Sequence, residues 1–234
     1  MLTMNRVEFQ SACQRQGVDV TNKQLDQLEQ YLHLLQEWNQ KMNLTAIDEE
    51  DQIWEKHFYD CVIPFANEMG ETLCDVGSGA GFPGIPVAIV YPQFHVTLVE
   101  PLLKRCRFLE TVKQELGLDI QICNERAEDF AKKNRAQFDI VTSRAVARLT
   151  ILLELCIPLL RVTGSFVALK GKNAENEVNN AKVAMETLNV ILKDEKIVHV
   201  ADADHVNLYF EKMKPTSKKY PRVYGQIKKK PLGE

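Results

Sequence analysis

Between Leu73 and Pro92 the chain reads LCDVGSGAGFPGIPVAIVYP, with glycines at 77, 79 and 81 directly after a short apolar run. Three glycines at alternate positions suit neither a helix nor a strand interior. They suit a sharp bend in which the backbone takes positive φ and a neighbour approaches without meeting a Cβ. Pro83 and Pro86 follow, where a helix would begin and a missing N–H costs least. Strand, glycine bend and helix together make the opening unit of an open parallel sheet. In such a sheet the ligand sits at the carboxyl ends of the strands.

The rest of the chain repeats that alternation. Short apolar segments at Thr72–Val76, His95–Glu100, Ile120–Cys123, Phe138–Thr142 and Ser165–Lys170 are predicted strands. Helices are predicted to begin near Pro83, Pro101, Ala127, Ala147 and Ala174. Strand–helix alternation implies βαβ units and a mainly parallel sheet covered on both faces. Lys196–Ala201 and His205–Met213 are expected to close it. LTILLELCIPLL, from Leu149 to Leu160, contains Glu154, is too short to span a bilayer, and reads as a buried helix.

Before Gly70 the pattern is helical. Leu25, Leu28, Leu32, Leu35, Trp38 and Met42 recur at three- and four-residue steps, and Thr21 with Gln24 matches a capping box. This stripe is expected to cap the core rather than read a partner. A further turn or two of helix is expected around His57 and Asp60. The chain opens without a signal-peptide pattern, and its six cysteines show no metal or redox spacing. A reduced, cytoplasmic protein without a metal site is therefore expected, with a monomer as the default.

Net charge is −3, but its distribution is uneven. Lys212 to Lys230 holds eight Lys and Arg and no acid, which leaves −11 on the remainder. A basic tail on an acidic body suggests a surface for a polyanion, unless it merely solvates the terminus. The tail's Pro, Lys, Tyr and Gly suggest an extended strap in which Tyr220 and Tyr224 stack on bases.

Two ligand classes use loops like this one. Gly79–Gly84 matches GxGxxG, the dinucleotide pattern, whereas Asp75–Gly81 matches the D/ExGxGxG loop of S-adenosylmethionine-dependent methyltransferases. Asp75 favours the second, because dehydrogenases usually carry an apolar residue there. Glu100, ending the next strand, suits ribose hydroxyls in either class. Ala127 and Glu128, after the third strand, are placed to meet an adenine, although Glu128 also suits a helix N-terminus electrostatically. Arg144, ending the fourth, is placed to bind the ligand carboxylate or a guanine, or to serve a structural ion pair. The fourth strand lacks the Asn/Asp-Pro-Pro-aromatic motif of amino-methylating enzymes, and no cysteine sits in a Pro-Cys context for C5 chemistry. Guanine N7 carries an in-plane lone pair and loses no proton on alkylation. It needs orientation and electrostatics rather than a general base.

DVGSGAGFPGIPVAI, NLTAI, RAED, TSRAVA, LKG and KKYPRVYGQIKKKPL together span essentially the whole chain. They resemble the RsmG (GidB) family, which methylates guanine N7 in 16S rRNA from S-adenosylmethionine. The resemblance implies an α/β, Rossmann-like class I S-adenosylmethionine-dependent methyltransferase fold, with a mainly parallel seven-stranded sheet and an N-terminal helical extension. The expected division is 1–69 extension, 70–213 core and 214–234 basic strap. Donor contacts are implied at Gly77, Phe82, Ala127, Glu128 and Arg144; Gly79 and Glu100 join them on the loop and ribose arguments. His57, Lys170, Lys219, Tyr220 and Arg222 are implied RNA contacts, with Arg144 and Lys170 positioning the reacting atoms. Val223 stands where the family pattern leads one to expect lysine, and Tyr224 where a small residue is usual. An NAD-dependent oxidoreductase and a non-catalytic RNA-binding module are the competing readings.

Overall fold

In the computed structural model residues 4–201 and 203–233 are described; residues 1–3 and 234, the outer ends of the expected extension and strap, lie outside them. Helix α1 (Arg6–Arg15) opens on Asn5, which forms a capping box with Glu8. The box predicted for Thr21 and Gln24 opens α2 (Asn22–Met42), whose stripe buries Leu25, Leu28, Tyr31, Leu32 and Leu35. After Asn43, in left-handed conformation, come the short turns α3 (Glu50–Gln52) and α4 (Asp60–Val62). Between them lies a π-helical segment, Ile53–Tyr59, where an ordinary helical turn was expected.

From Thr72 the chain alternates: β1 (Thr72–Val76), α5 (Gly84–Val90), β2 (His95–Val99), α6 (Leu103–Leu116), β3 (Ile120–Cys123), α7 (Ala127–Lys133), β4 (Phe138–Arg144), α8 (Leu149–Cys156) and β5 (Leu160–Lys170). Two helices, α9 (Ala174–Asn180) and α10 (Lys182–Leu188), precede the hairpin β6 (Val190–Val200) and β7 (Ala203–Lys212), and α11 (Tyr224–Lys229) ends the described chain. The seven strands form one sheet in the order β3-β2-β1-β4-β5-β7-β6. The first five are parallel, and β7 joins antiparallel to both β5 and β6. Strand order reverses between β1 and β4, the switch point at which such sheets open a crevice.

Period-two alternation divides the strands between two cores. Leu73, Ile140, Val167 and Tyr209 face one layer with α1, α2, α5, α6 and the π-helix. Cys74, Val76, Val141, Phe166 and Phe210 face the other, with α7, α8, α10 and Ile227 of α11. The amphipathic α2 is thus built into the first layer. Its Gln24 amide donates to the carbonyls of Ile89 and Val90, and Gln27 donates to Leu116 O. These bonds satisfy carbonyls at the C-terminal ends of α5 and α6. No helix of the described residues is long and apolar enough to cross a membrane, and the cysteines are free, all but Cys123 buried.

Three sequence expectations need correction. The apolar run from Leu149 is not one helix: α8 stops at Cys156, a 3₁₀ turn holds Ile157–Leu159, and Leu160 already belongs to β5. No polar residue marks that change. β6 begins at Val190 rather than Lys196, because as an edge strand it carries Lys193, Asp194 and Glu195, which hide its periodicity. The C-terminal strap is not extended throughout: Tyr224–Lys229 turns once into a helix and buries Ile227.

Candidate functional site

The carboxyl ends of β1, β2 and β4 open on a cavity of about 510 Å³. Its walls include Gly77, Gly79, Phe82, Glu100, Ala127, Glu128 and Arg144, every donor contact expected from the sequence, together with His57. The glycine bend explains how backbone comes to form one wall. Gly77 has φ +76°, and a Cβ there would lie 2.5 Å from Val146 Cγ2 in the loop after β4. Gly79, at φ +60°, has its Cβ position nearly clear of protein and opens on the cavity. The loop is held from below. Tyr31 of α2 donates its hydroxyl to Ala80 O at 2.6 Å, and Asp75 Oδ2 accepts the Gly84 N–H at 3.0 Å. Among the described residues Asp75 Oδ1 has no partner, and burial lifts this carboxyl to a pKa of about 7. Asp75 therefore anchors the start of α5 rather than lining the cavity.

Glu100 is 1 % exposed and its carboxylate is aimed by backbone. Oε2 accepts the Gly79 N–H at 2.9 Å and Oε1 the Leu102 N–H at 2.8 Å, while Arg105 Nη1 stands 3.6 Å from Oε2. Such a fixed acceptor suits a pair of ribose hydroxyls. At the far end Ala127 and Glu128 occupy the first turn of α7, and Arg126 Nε donates to Glu128 Oε1 at 2.7 Å. The helix-start reading of Glu128 thus holds alongside its place in the cavity wall.

Arg144 realises its ion-pair reading while facing the cavity. Nη1 donates to Lys56 O at 3.1 Å and Asp60 Oδ2 at 3.2 Å, and the guanidinium lies 4.9 Å from the Phe82 ring centre. Nη2 is 3.2 Å from His57 Nδ1. The same Nδ1 lies 3.2 Å from Lys56 O, and Nε2 is 2.9 Å from Thr45 Oγ1. Burial first, then Arg144, hold His57 down to a pKa of about 3. Its ring is neutral and packed 4.4 Å from that of Phe82.

A second cavity, about 690 Å³, adjoins the first and shares His57, Arg144, Ala145 and Val146 with it. Lys170, Glu177, Asp60 and His205 also line it. Lys170, expected as an RNA contact, pairs with Glu177 Oε2 at 2.7 Å and donates to Ala147 O. His205 Nδ1 meets Asp60 Oδ1 at 2.8 Å, so Asp60 bridges Arg144 and His205.

The tail residues fall elsewhere. The Arg222 guanidinium, expected at RNA, grips the fully buried Glu154 carboxylate, with Nε at 2.8 Å from Oε1 and Nη2 at 2.6 Å from Oε2, and stays 24 % exposed. Tyr220 is 7 % exposed and sits in the second core, so its ring cannot stack on a base where it stands. Its carbonyl accepts from Arg135, which also holds Thr216 O and Ser217 O. Lys219 is exposed, with Nζ 5.0 Å from the Tyr220 ring. Lys212 is buried too, bonded to Ile157 O and Leu160 O and lowered to a pKa of about 8 by burial. Six tail lysines remain exposed: 214, 218, 219, 228, 229 and 230.

Several wall residues were not expected to belong to the site. Leu44 and Thr45 enter from the NLTAI segment, and Arg105 and Arg126 from the starts of α6 and α7. Tyr224 reaches the first cavity from α11, its ring 4.7 Å below the Arg126 guanidinium. Only NLTAI, and Tyr224 as a departure from the family pattern, carried any signal in the sequence.

A glycine bend at the switch point of a mainly parallel seven-stranded sheet, facing an acid that ends the neighbouring strand, defines a class I S-adenosylmethionine-dependent methyltransferase fold. Solved structures agree on the fold. TYW2 of M. jannaschii in complex with AdoMet superposes with TM-score 0.53 at 17 % identity, over 64 % of this chain and 73 % of that one. A 16S rRNA (adenine(1408)-N(1))-methyltransferase variant from Catenulisporales acidiphilia gives 0.53 at 15 % identity, over 64 % and 89 %. The chain belongs to the family described as GidB: rRNA small subunit methyltransferase G, which matches residues 24–206. Proteins named Ribosomal RNA small subunit methyltransferase G from Bacillus thuringiensis (strain Al Hakam) and Bacillus anthracis (strain A0248) are each 44 % identical to it. In both cases the match covers 98 % of this chain and 99 % of the relative.

Proposed function

We propose that this protein transfers a methyl group from S-adenosylmethionine to N7 of one guanine in 16S rRNA, acting as a cytoplasmic monomer. The observation that carries the reading is the pair of adjoining cavities. One is walled by the glycine bend and Glu100; the other opens from it across Arg144. Membership of the rRNA small subunit methyltransferase G family, along nearly the full length of the relatives, supplies the substrate class.

The residues present fit the donor. The clear space at Gly79 admits the ligand, Glu100 presents two oxygens to ribose hydroxyls, and Ala127 with Tyr224 walls the end where adenine would lie. When bound, S-adenosylmethionine supplies an electrophilic methyl group; the N7 lone pair forms the new bond, sulfur keeps the old bonding pair, and no proton leaves. The chain therefore needs no general base at this point, and its work is alignment and charge. Neutral His57, locked by Thr45 and Arg144, holds the Phe82 wall. Arg144, fixed by Asp60 and Lys56, stands where the two cavities meet. Six exposed tail lysines offer phosphate contacts, binding without choosing sequence. We read residues 1–69 as a buttress of the glycine bend, 70–213 as the catalytic core and 214–234 as the RNA-facing segment.

The dinucleotide register is disfavoured by its own last glycine. Gly84 N–H points at Asp75, away from the cavity. The test is methyl transfer from labelled S-adenosylmethionine to small ribosomal subunits lacking the modification, followed by chemical cleavage at N7-methylated guanines. One protein-dependent cleavage in 16S rRNA is expected. Donor binding without such a cleavage overturns the acceptor, and failure to bind the donor overturns the reading of the loop.

A further inference from the structure

Resting on that reading, we propose that the second cavity binds the RNA backbone beside the target nucleotide, with Lys56 and His205 as the groups that meet its phosphate. The charge of this cavity is opposite to that of the chain as a whole. Four cationic side chains line it, Lys56, Arg144, Arg148 and Lys170, against two acids, Asp60 and Glu177. That is an excess of two positive charges in a molecule of net charge −3. Both acids are held by cations of the same wall, Asp60 by Arg144 at 3.2 Å and Glu177 by Lys170 at 2.7 Å. Among the described residues no Phe, Tyr or Trp lines the cavity, and the His57 ring is packed against Phe82, so a base finds little to stack on. The adjoining donor cavity does carry aromatic rings, Phe82 and Tyr224. A nucleotide spanning the two turns its base toward the donor and leaves its phosphate among the cations.

Lys56 belongs to the π-helical segment, and its carbonyl accepts from Arg144 at 3.1 Å, so its side chain starts beside the point where the cavities meet. The ammonium has a neutral partner, Gln52 Oε1 at 3.4 Å, which an anionic phosphate oxygen outcompetes. His205 enters from β7, and its side chain stays 32 % exposed. Its Nδ1 lies 2.8 Å from Asp60 Oδ1. That bond raises the ring's pKa above its ordinary value, against burial and the charges of Arg144 and Lys56. Protonated, the ring carries an N–H on each nitrogen and adds its charge to the wall.

The experiment uses the full chain and small subunits whose 16S rRNA carries one uncharged linkage, a methylphosphonate, immediately 5′ or 3′ of the target guanosine. Single-turnover rates against enzyme concentration give affinity and maximal rate separately. Wild-type protein is expected to lose about tenfold in affinity on one of the two linkages, the effect of one lost charge-assisted bond. Lys56→Gln loses about as much on normal RNA, with a salt slope smaller by about one, and loses nothing more on the uncharged linkage. Its affinity for S-adenosylhomocysteine, measured by calorimetry, stays unchanged. For His205 the readout is pH. Wild-type affinity for normal RNA falls as pH rises from about 6 to about 8.5 and the ring gives up its proton, and His205→Gln removes that fall. Asp75 titrates in the same range but is present in both proteins. Wild-type indifference to both uncharged linkages overturns the proposal without any variant. Losses that multiply when Lys56→Gln meets the uncharged linkage also overturn it, because they place the lysine away from that phosphate. A pH dependence that survives in His205→Gln overturns the role of His205. If wild-type protein methylates no guanine N7 in subunits with normal linkages, the functional reading fails first and this inference with it.

Discussion

Arg222 and Glu154 form an ion pair whose energetics can be worked from the contacts. Glu154 has no exposed side chain, and it takes three bonds from Arg222: backbone N at 2.9 Å, Nε at 2.8 Å and Nη2 at 2.6 Å. In Arg222→Met the carboxylate stays buried with the backbone N–H alone. Removing one partner of such a pair costs about 3–5 kcal/mol. For a chain of this length that lowers Tm by roughly 10 °C. Replacing both residues, Glu154→Leu with Arg222→Met, removes the charge together with its partner. It is expected to bring stability back to within about 1 kcal/mol of wild type. Urea unfolding of the wild type, the two singles and the double closes the cycle. The double variant also separates fold from function: with Arg222 structural, its affinity for 16S rRNA and the salt dependence are unchanged. The reasoning is refuted if Arg222→Met costs under about 1 kcal/mol while the double variant loses RNA affinity with a salt slope smaller by about one.

Three further outcomes are expected. His57 titrates near 3 in the fold against about 6.5 when unfolded, so only the unfolded chain takes up its proton between those values. Stability is complete above pH 6.5 and falls as pH drops toward 3, by about 2 kcal/mol at pH 5; urea unfolding at pH 7.5 and 5.0 should show this loss reduced in His57→Gln, and an unchanged loss contradicts the assignment. In Gly84→Ala the new Cβ would lie 2.3 Å from Leu98 Cδ2 and 2.9 Å from Asp75 Oδ2, in a closed layer. A destabilisation of about 1–3 kcal/mol is expected from that overpacking, and chemical denaturation measures it. Tyr224→Ala opens the donor cavity beneath Arg126, and calorimetry with S-adenosylhomocysteine should show affinity down about three- to tenfold, matching the ~0.5–1.5 kcal/mol of an aromatic contact.

What could be read along the chain was what local chemistry encodes. The Thr21–Gln24 box begins α2 where its spacing says, since a cap needs only residues three apart. The apolar segments placed β1 and β3 correctly to the residue, and the starts of α7 and α9 likewise. The glycine bend put Gly77, Gly79, Glu100 and Arg144 around one cavity, because parallel strands share the end at which their loops emerge. The boundaries that shifted, at Leu160 and Val190, are those where periodicity is masked by an unbroken apolar run or by the charges of an edge strand.

The sequence by itself thus determined the main strand–helix alternation and the strand ends at which the cavity opens, all properties of residues close together in the chain. Only the tertiary structure decided which charges are spent inside. Eight tail cations look alike in sequence, yet Arg222 and Lys212 are consumed by Glu154 and by carbonyls before β5, leaving six exposed. It alone joined Thr45, His57, Asp60, Arg144 and His205 into one network. The physical reason is the same in each case. A buried charge is tolerated only beside a partner, and the partner is chosen by how strands and helices stack, at separations that no local pattern encodes.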